Sequence, residues 1–311
     1  MNKLVKYSSF VVLLLVTKTV TATEPIQLFH DNQFERGFIV LKPVHNKKIK
    51  GGTISLDASQ EKLVWELAQW GSRFDLSNVK AESVSASGIR FHDGAKTVYF
   101  EDLHQKYPSI TFEVNARKEY QGHLRKSGEH WPHLLAEQQL NLQPKVTQLD
   151  ELWFQIEYRL LKSEAFKQEG WTDNLHTAQF LAYLTIQNIN KESTGFGDYL
   201  WFGIAMYDAR YRFPKTHQAL DKGTGKFIYS LGEKQFTDQS AHQGKWITIQ
   251  QDILPLIKNG LKAAWKQGFV NSSHNINDYE VRAFNIGWEI TGTYHVAMKF
   301  QKLSLEATLK K

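Results

Sequence analysis

Apolar and polar residues alternate with a period of two along several stretches of this chain, and that rhythm restricts its fold more than any other feature. Leu152, Phe154, Ile156, Tyr158 and Leu160 alternate with Trp153, Gln155, Glu157 and Arg159. Successive side chains on a strand point to opposite faces, so such a segment buries one face and frees the other. Ile110, Phe112, Val114 and Ala116 repeat the pattern against Thr111, Glu113, Asn115 and Arg117. Leu200, Phe202, Ile204 and Met206 stand against Tyr199, Trp201, Gly203, Ala205 and Tyr207, and Phe284, Ile286, Trp288 and Ile290 against Asn285, Gly287 and Glu289. The pattern continues through Tyr294, Val296, Met298 and Phe300, and further strands are expected near 53–57, 84–91, 97–100, 133–140, 178–189, 226–230 and 245–250. So many strands with few helices between them predict an all-β chain, an antiparallel β-sandwich of the jelly-roll kind. One substantial helix is expected near 252–268. Asp252 can cap it, Pro255 sits in its first turn, Ile253, Ile257, Leu261, Ala264 and Trp265 follow helical spacing, and Gly268 lies past its end. The segment from Ser59 to Trp70 reads as a strand through Leu63, Trp65 and Leu67, although Ser59 could also cap a helix.

Composition narrows the setting. With 9 Trp, 12 Tyr and 19 Phe in 311 residues the chain can build a large core, and its lack of cysteine excludes disulfides, thiolate metal sites and a cysteine nucleophile. Residues 1–22 read as an export signal. Lys3 and Lys6 precede the apolar run Phe10–Val16, and Val20-Thr21-Ala22 ends in a small residue. The run is much shorter than a membrane-spanning helix requires, so no integral membrane segment is expected after cleavage. Losing Lys3, Lys6 and Lys18 lowers the net charge from +6 to +3, too small an excess to indicate nucleic acid. The expectation is a secreted or periplasmic protein with one sandwich domain over 23–311 and an N-terminal extension.

The positions opposite the core combine rings, amides, carboxylates and arginine where a solvated face usually carries Lys, Glu, Thr and Ser. Flat rings cover the C–H faces of sugars while planar polar groups reach adjacent hydroxyls. Substrate-binding candidates on this reading are Asn115, Arg117, Gln155, Arg159, Tyr199, Trp201, Tyr207 and Asn285, with Gly203 and Ala205 leaving room between rings. The competing reading covers that face with loops or the helix, as a second core. Hydrolysis of a glycoside needs two carboxyls roughly 5–5.5 Å apart for retention or about 6.5–9.5 Å for inversion. Glu137, Glu157 and Glu289 are the candidates, with the indole of Trp201 expected to share their trough. A lyase would use a Tyr or His base with a charge-neutralising partner, and His133, Arg117, Tyr207 and Asn115 could serve. Asp208 and Arg210 are read as an ion pair ending their strand. His123, His130 and His133 are close in sequence, but Trp131-Pro132 prevents helical ligand spacing, so neither metal site nor cofactor is assigned.

Through its strand rhythm, its aromatic and polar open face and the terminal pair around Asn285-Ile-Gly-Trp-Glu289 and Tyr294–Leu305, the chain resembles the concanavalin A-like lectin and glucanase jelly roll over roughly residues 50–306. The resemblance implies two curved sheets with a glycan-binding concave face, sometimes with a structural calcium. The E-x-D-x-E motif of one glucanase family in that fold is missing. Arg117-Lys-Glu119-Tyr120 departs from the R-x-E-L-R pattern of alginate lyases, so no enzymatic activity is inherited. The leading expectation is an exported protein that binds a polysaccharide or oligosaccharide across that face. A polysaccharide lyase or glycoside hydrolase is the first alternative, and a non-enzymatic envelope structural or adhesion protein the second.

Overall fold

The computed structural model describes residues 24–45, 47–56 and 62–311, and the expected export signal over 1–22 lies outside them. Two sheets pack face to face. One runs Ile247–Asp252, Leu149–Ala165, Tyr294–Leu309, Ser109–Asn115, Lys96–Glu101, Gly88–His92 and Glu82–Ser85, with the short strand Ile26–Gln27 added to Tyr294–Leu309. The other runs His217–Leu220, Phe227–Leu231, Tyr199–Asp208, Ala178–Asn188, Tyr279–Ile290, His133–Gln139, Trp65–Ala68, Gly37–Leu41 and Lys50–Ser55. Pairing is antiparallel except where Phe227–Leu231 joins Tyr199–Asp208 and where Gly37–Leu41 joins Trp65–Ala68. The chain is thus an all-β sandwich, as the alternation predicts.

The core lies between the sheets and is built from the apolar phase of each strand. Phe112, Phe154, Phe180, Phe202, Trp288 and Phe300 are all buried there. Two indoles in it carry polar edges that need partners, and both find backbone oxygens: Trp288 Nε1 donates to Phe112 O at 2.8 Å across the sandwich, and Trp65 Nε1 donates to Asp31 O. The helix spans Leu254–Lys266, and Asp252 Oδ1 accepts from Leu254 N at its first turn. Its apolar stripe of Leu254, Ile257, Leu261 and Ala264 is buried. Gly260 in that stripe has a packing reason, since a Cβ there would stand 2.9 Å from the Tyr229 ring.

Two local readings change. The stretch 84–91 is not one strand but a hairpin of Glu82–Ser85 and Gly88–His92, turning at Ala86-Ser87. Alternation also breaks near the end of Tyr199–Asp208. Phe180 pairs with Tyr207, yet Leu181 pairs with Ala205, so Met206 is an extra residue opposite two consecutive partners.

Candidate functional site

A groove of about 1420 Å³ runs over the outer face of the second sheet. Register places its side chains in rows across the strands. The central row reads Ser230, Gly203, Tyr183, Asn285, Glu137 and Glu66, each opposite the next on a neighbouring strand. A second row carries Asp208, Gln179, Glu289 and His133, and a third carries Ile228, Trp201, Thr185, Ala283 and Gln139.

The aromatic part is one connected cluster. Trp201 meets Tyr199 edge to face at 5.1 Å between ring centres and Tyr183 at 5.7 Å, and its Nε1 donates to Thr224 Oγ1 at 3.2 Å. Gly203 does leave room, but a ring fills it: a Cβ there would stand 2.5 Å from Tyr183 and 2.7 Å from Ser230 Oγ. Burial pushes the Tyr183 hydroxyl well above the ordinary phenol value.

The acidic part centres on Glu137. Lys48 Nζ stands 2.8 Å from Glu66 Oε2 and 3.0 Å from Glu137 Oε2, so these two oxygens lie no further apart than the sum of those contacts. Burial raises Glu137 above the ordinary carboxyl value, against the pull of Lys48. Burial also opposes the charge on Lys48, but Glu137 and Glu66 outweigh it and hold the ammonium above its ordinary value. Beyond an intervening row of Leu135, Gly287 and Leu181, His133 Nδ1 lies 3.1 Å from Trp70 O and so carries the hydrogen. Its Nε2 is left facing Glu289 Oε2 at 3.8 Å. Asp208 accepts from Arg210 through both carboxylate oxygens, at 2.9 and 2.6 Å, and also from Thr177 and Gln179. This strand-end pair is as read from the sequence, and it lines the groove as well.

Of the residues singled out in the sequence, Glu137, Glu289, His133, Tyr199, Trp201 and Asn285 share this groove. The other six do not. Glu157, Gln155 and Arg159 lie on Leu149–Ala165 of the opposite sheet, paired across to Gln301, Ser304 and Lys299. Glu157 there accepts from Gln301 Nε2 at 2.7 Å and Lys302 Nζ at 2.8 Å, and these bonds outweigh burial and keep its carboxyl below the ordinary value. Arg159 Nε donates to Gly244 O at 2.8 Å. Asn115 ends a strand of that same sheet opposite His295, and Arg117 follows in a single helical turn with its guanidinium 4.8 Å from the Phe166 ring. The trough expected to hold Trp201, Glu157 and Glu289 together therefore holds only the first and last. The reason is that alternation assigns a side chain to a face but not to a sheet. Tyr207 is displaced by the bulge at Met206: it is buried between the sheets, 5.7 Å from the Trp288 ring, with its hydroxyl 2.6 Å from Ser163 Oγ. The lyase set of His133, Arg117, Tyr207 and Asn115 is thereby dispersed.

Glu66 and Lys48 were not read from the sequence. Glu66 sits in the four-residue strand Trp65–Ala68, too short to show its phase firmly, and Lys48 lies in a loop between strands. Among the described residues, no group of three or more His, Asp or Glu side chains is arranged to hold a metal ion. No helix among them is long and apolar enough to cross a membrane.

No protein-family model matches the chain, and no curated protein matches it. Among solved structures it is similar to endoglucanase cel12A from Rhodothermus marinus, with 9% identity, 75% of this chain and 97% of that chain covered, and a TM-score of 0.40. A metagenome-derived glycoside hydrolase family 12 endoglucanase gives 11% identity, 77% and 98% coverage and a TM-score of 0.39. The family 11 xylanase from Neocallimastix patriciarum gives 10% identity, 74% and 100% coverage and a TM-score of 0.35. At these values the likeness bears on no individual residue of the groove.

Proposed function

We propose that this chain is an exported protein that binds an extended polysaccharide or oligosaccharide in the groove on its outer sheet. The observation that carries the reading is the Tyr199, Trp201 and Tyr183 cluster, which lines one groove together with Asn285, Glu137, Gln179 and Glu289. Rings give a sugar an apolar surface, and the neighbouring amides and carboxylates give its hydroxyls partners. Among the described residues no loop seals this face, which favours a ligand over a second core. Trp201→Ala should weaken binding to whichever glycan of a polysaccharide panel the parent retains, by about 1–3 kcal/mol, the range for losing an aromatic stacking platform. Equal retention of parent and variant on every polymer would overturn the reading.

A second reading, glycoside hydrolysis, is favoured by one observation. Glu137 and Glu66 approach the same ammonium, so their separation is compatible with a catalytic carboxyl pair, and buried Glu137 resists ionisation as a general acid must. Release of reducing ends that disappears in both Glu137→Gln and Glu66→Gln, with binding retained, would favour hydrolysis. Binding without any release across neutral and acidic polymers would leave plain recognition.

A further inference from the structure

Charge around the groove is distributed unevenly between its floor and its two ends. On the floor each carboxylate is already engaged. Glu66 and Glu137 share Lys48, Asp208 is held by Arg210, and Glu289 faces His133. Asp221 is taken up by its own turn, accepting from Gly223 N at 3.1 Å and Thr224 N at 3.0 Å.

The ends belong to the two edge strands of this sheet, Lys50–Ser55 and His217–Leu220, and to the segments that lead into them. Both are basic. Residues 42–55 include Lys42, Lys47, Lys48 and Lys50 and no acid, and residues 209–220 include Arg210, Arg212 and Lys215 and no acid. Lys50 and Lys215 are exposed and line the groove, and neither has an acidic partner among the described residues. Lys215 lies instead over the Tyr211 ring at 4.3 Å, with Arg210 over the same ring at 5.2 Å. Arg212 and Lys234 stand over the neighbouring Phe213 ring at 5.6 and 4.9 Å. A ring face positions a cation without cancelling its charge, so this end keeps a positive field.

We infer that the polysaccharide taken by the groove is acidic, carrying carboxylate or sulfate groups that the two basic ends recognise. This rests on the reading of the groove as a glycan site and adds the chemical class of the glycan. Two separated cationic edges attract a polyanion and pair with its charged groups, whereas a neutral polymer gains nothing from them. The floor does not oppose such a ligand, because its carboxylates are compensated, and its rings serve the C–H faces of an acidic sugar as they would a neutral one.

The test is calorimetric titration of the full chain with polygalacturonate, a sulfated galactan, a neutral β-glucan and a neutral xylan. At least one anionic polymer should bind more tightly than both neutral ones, and its affinity should fall roughly ten-fold between about 50 and about 300 mM NaCl. Which of the two binds separates carboxylate from sulfate recognition. Lys50→Gln combined with Lys215→Gln should weaken that binding roughly five-fold or more. Lys262→Gln combined with Lys266→Gln removes the same charge from exposed positions on the helix, away from the groove, and should leave it unchanged. Equal loss in the two double variants, a neutral polymer bound as tightly as the anionic ones, or no binding of either anionic polymer overturns the acidic assignment. Trp201→Ala separates that failure from failure of the groove itself. If it abolishes binding of a neutral polymer, the groove stands and only its acidic class falls. If it leaves every polymer bound as by the parent, the glycan site falls and this inference with it.

Discussion

Glu66 and Glu137 face each other on neighbouring strands and share a single ammonium, that of Lys48. Glu137 is the more deeply buried of the two, so it depends more on that charge whenever it is ionised.

Lys48→Met should therefore destabilise the fold in a pH-dependent manner. Glu137 already holds its proton above the ordinary carboxyl value because it is buried, so folding loses stability as pH rises through that range. Without Lys48 that loss deepens, so the substitution should cost on the order of 1 kcal/mol or more at pH 8 and less at pH 5, towards the protonated side of this raised carboxyl. Urea unfolding at the two pH values checks this, and an equal cost at both would contradict it.

Glu233 gives a second pH dependence. Fully buried, it accepts from the Tyr158 hydroxyl at 2.9 Å and from Ala241 N at 3.2 Å, and burial raises its carboxyl to about 7. The folded chain then holds a proton that the unfolded chain releases near 4.5, so stability should fall as pH rises from 4.5 towards about 7. Glu233→Gln keeps an oxygen acceptor without the titration. Its melting temperature should be flatter than the parent's over that window.

Gly203→Ala places a methyl group against the Tyr183 ring and Ser230 Oγ, at 2.5 and 2.7 Å before relaxation. Overpacking of this kind costs about 1–3 kcal/mol. Because the displaced ring contacts Trp201, the variant should also lose glycan affinity, and a titration with the parent's best polymer would show it.

Lys96 is a fully buried charge. It pairs with Asp93 at 2.8 Å and Glu119 at 3.3 Å and donates to Phe74 O at 2.8 Å. Lys96→Met leaves two carboxylates without their cation, and denaturant unfolding at pH 7 should show a loss of about 3–5 kcal/mol.

What the sequence could reveal follows from what a period of two measures. It identified the buried phase of Tyr279–Ile290 and Leu149–Ala165, and so placed Phe284, Trp288, Phe154 and Ile156 in the core. Asn285, Glu289 and Trp201 were placed on a shared outer face for the same reason. The same period cannot tell which of two sheets a strand joins, since pairing is long-range, and Glu157 and Arg159 were misplaced on that account. Nor does alternation register an inserted residue until the partner strand is known, so Tyr207 was given the phase of Trp201. Lys48 carries no periodic signal at all, because its role depends on where a loop between strands comes to rest.

The extra residue at Met206 sets the far end of Tyr199–Asp208 out of step with its near end. Indole and phenol mark one terminus of that strand's outer surface, and a carboxylate clamped by Arg210 marks the other. A linear polymer lying along it meets unlike chemistry at its two extremities. Were such a polymer bound as proposed, reversing it end for end would exchange an apolar contact for an electrostatic one, so the surface would distinguish the two orientations of an otherwise repetitive molecule.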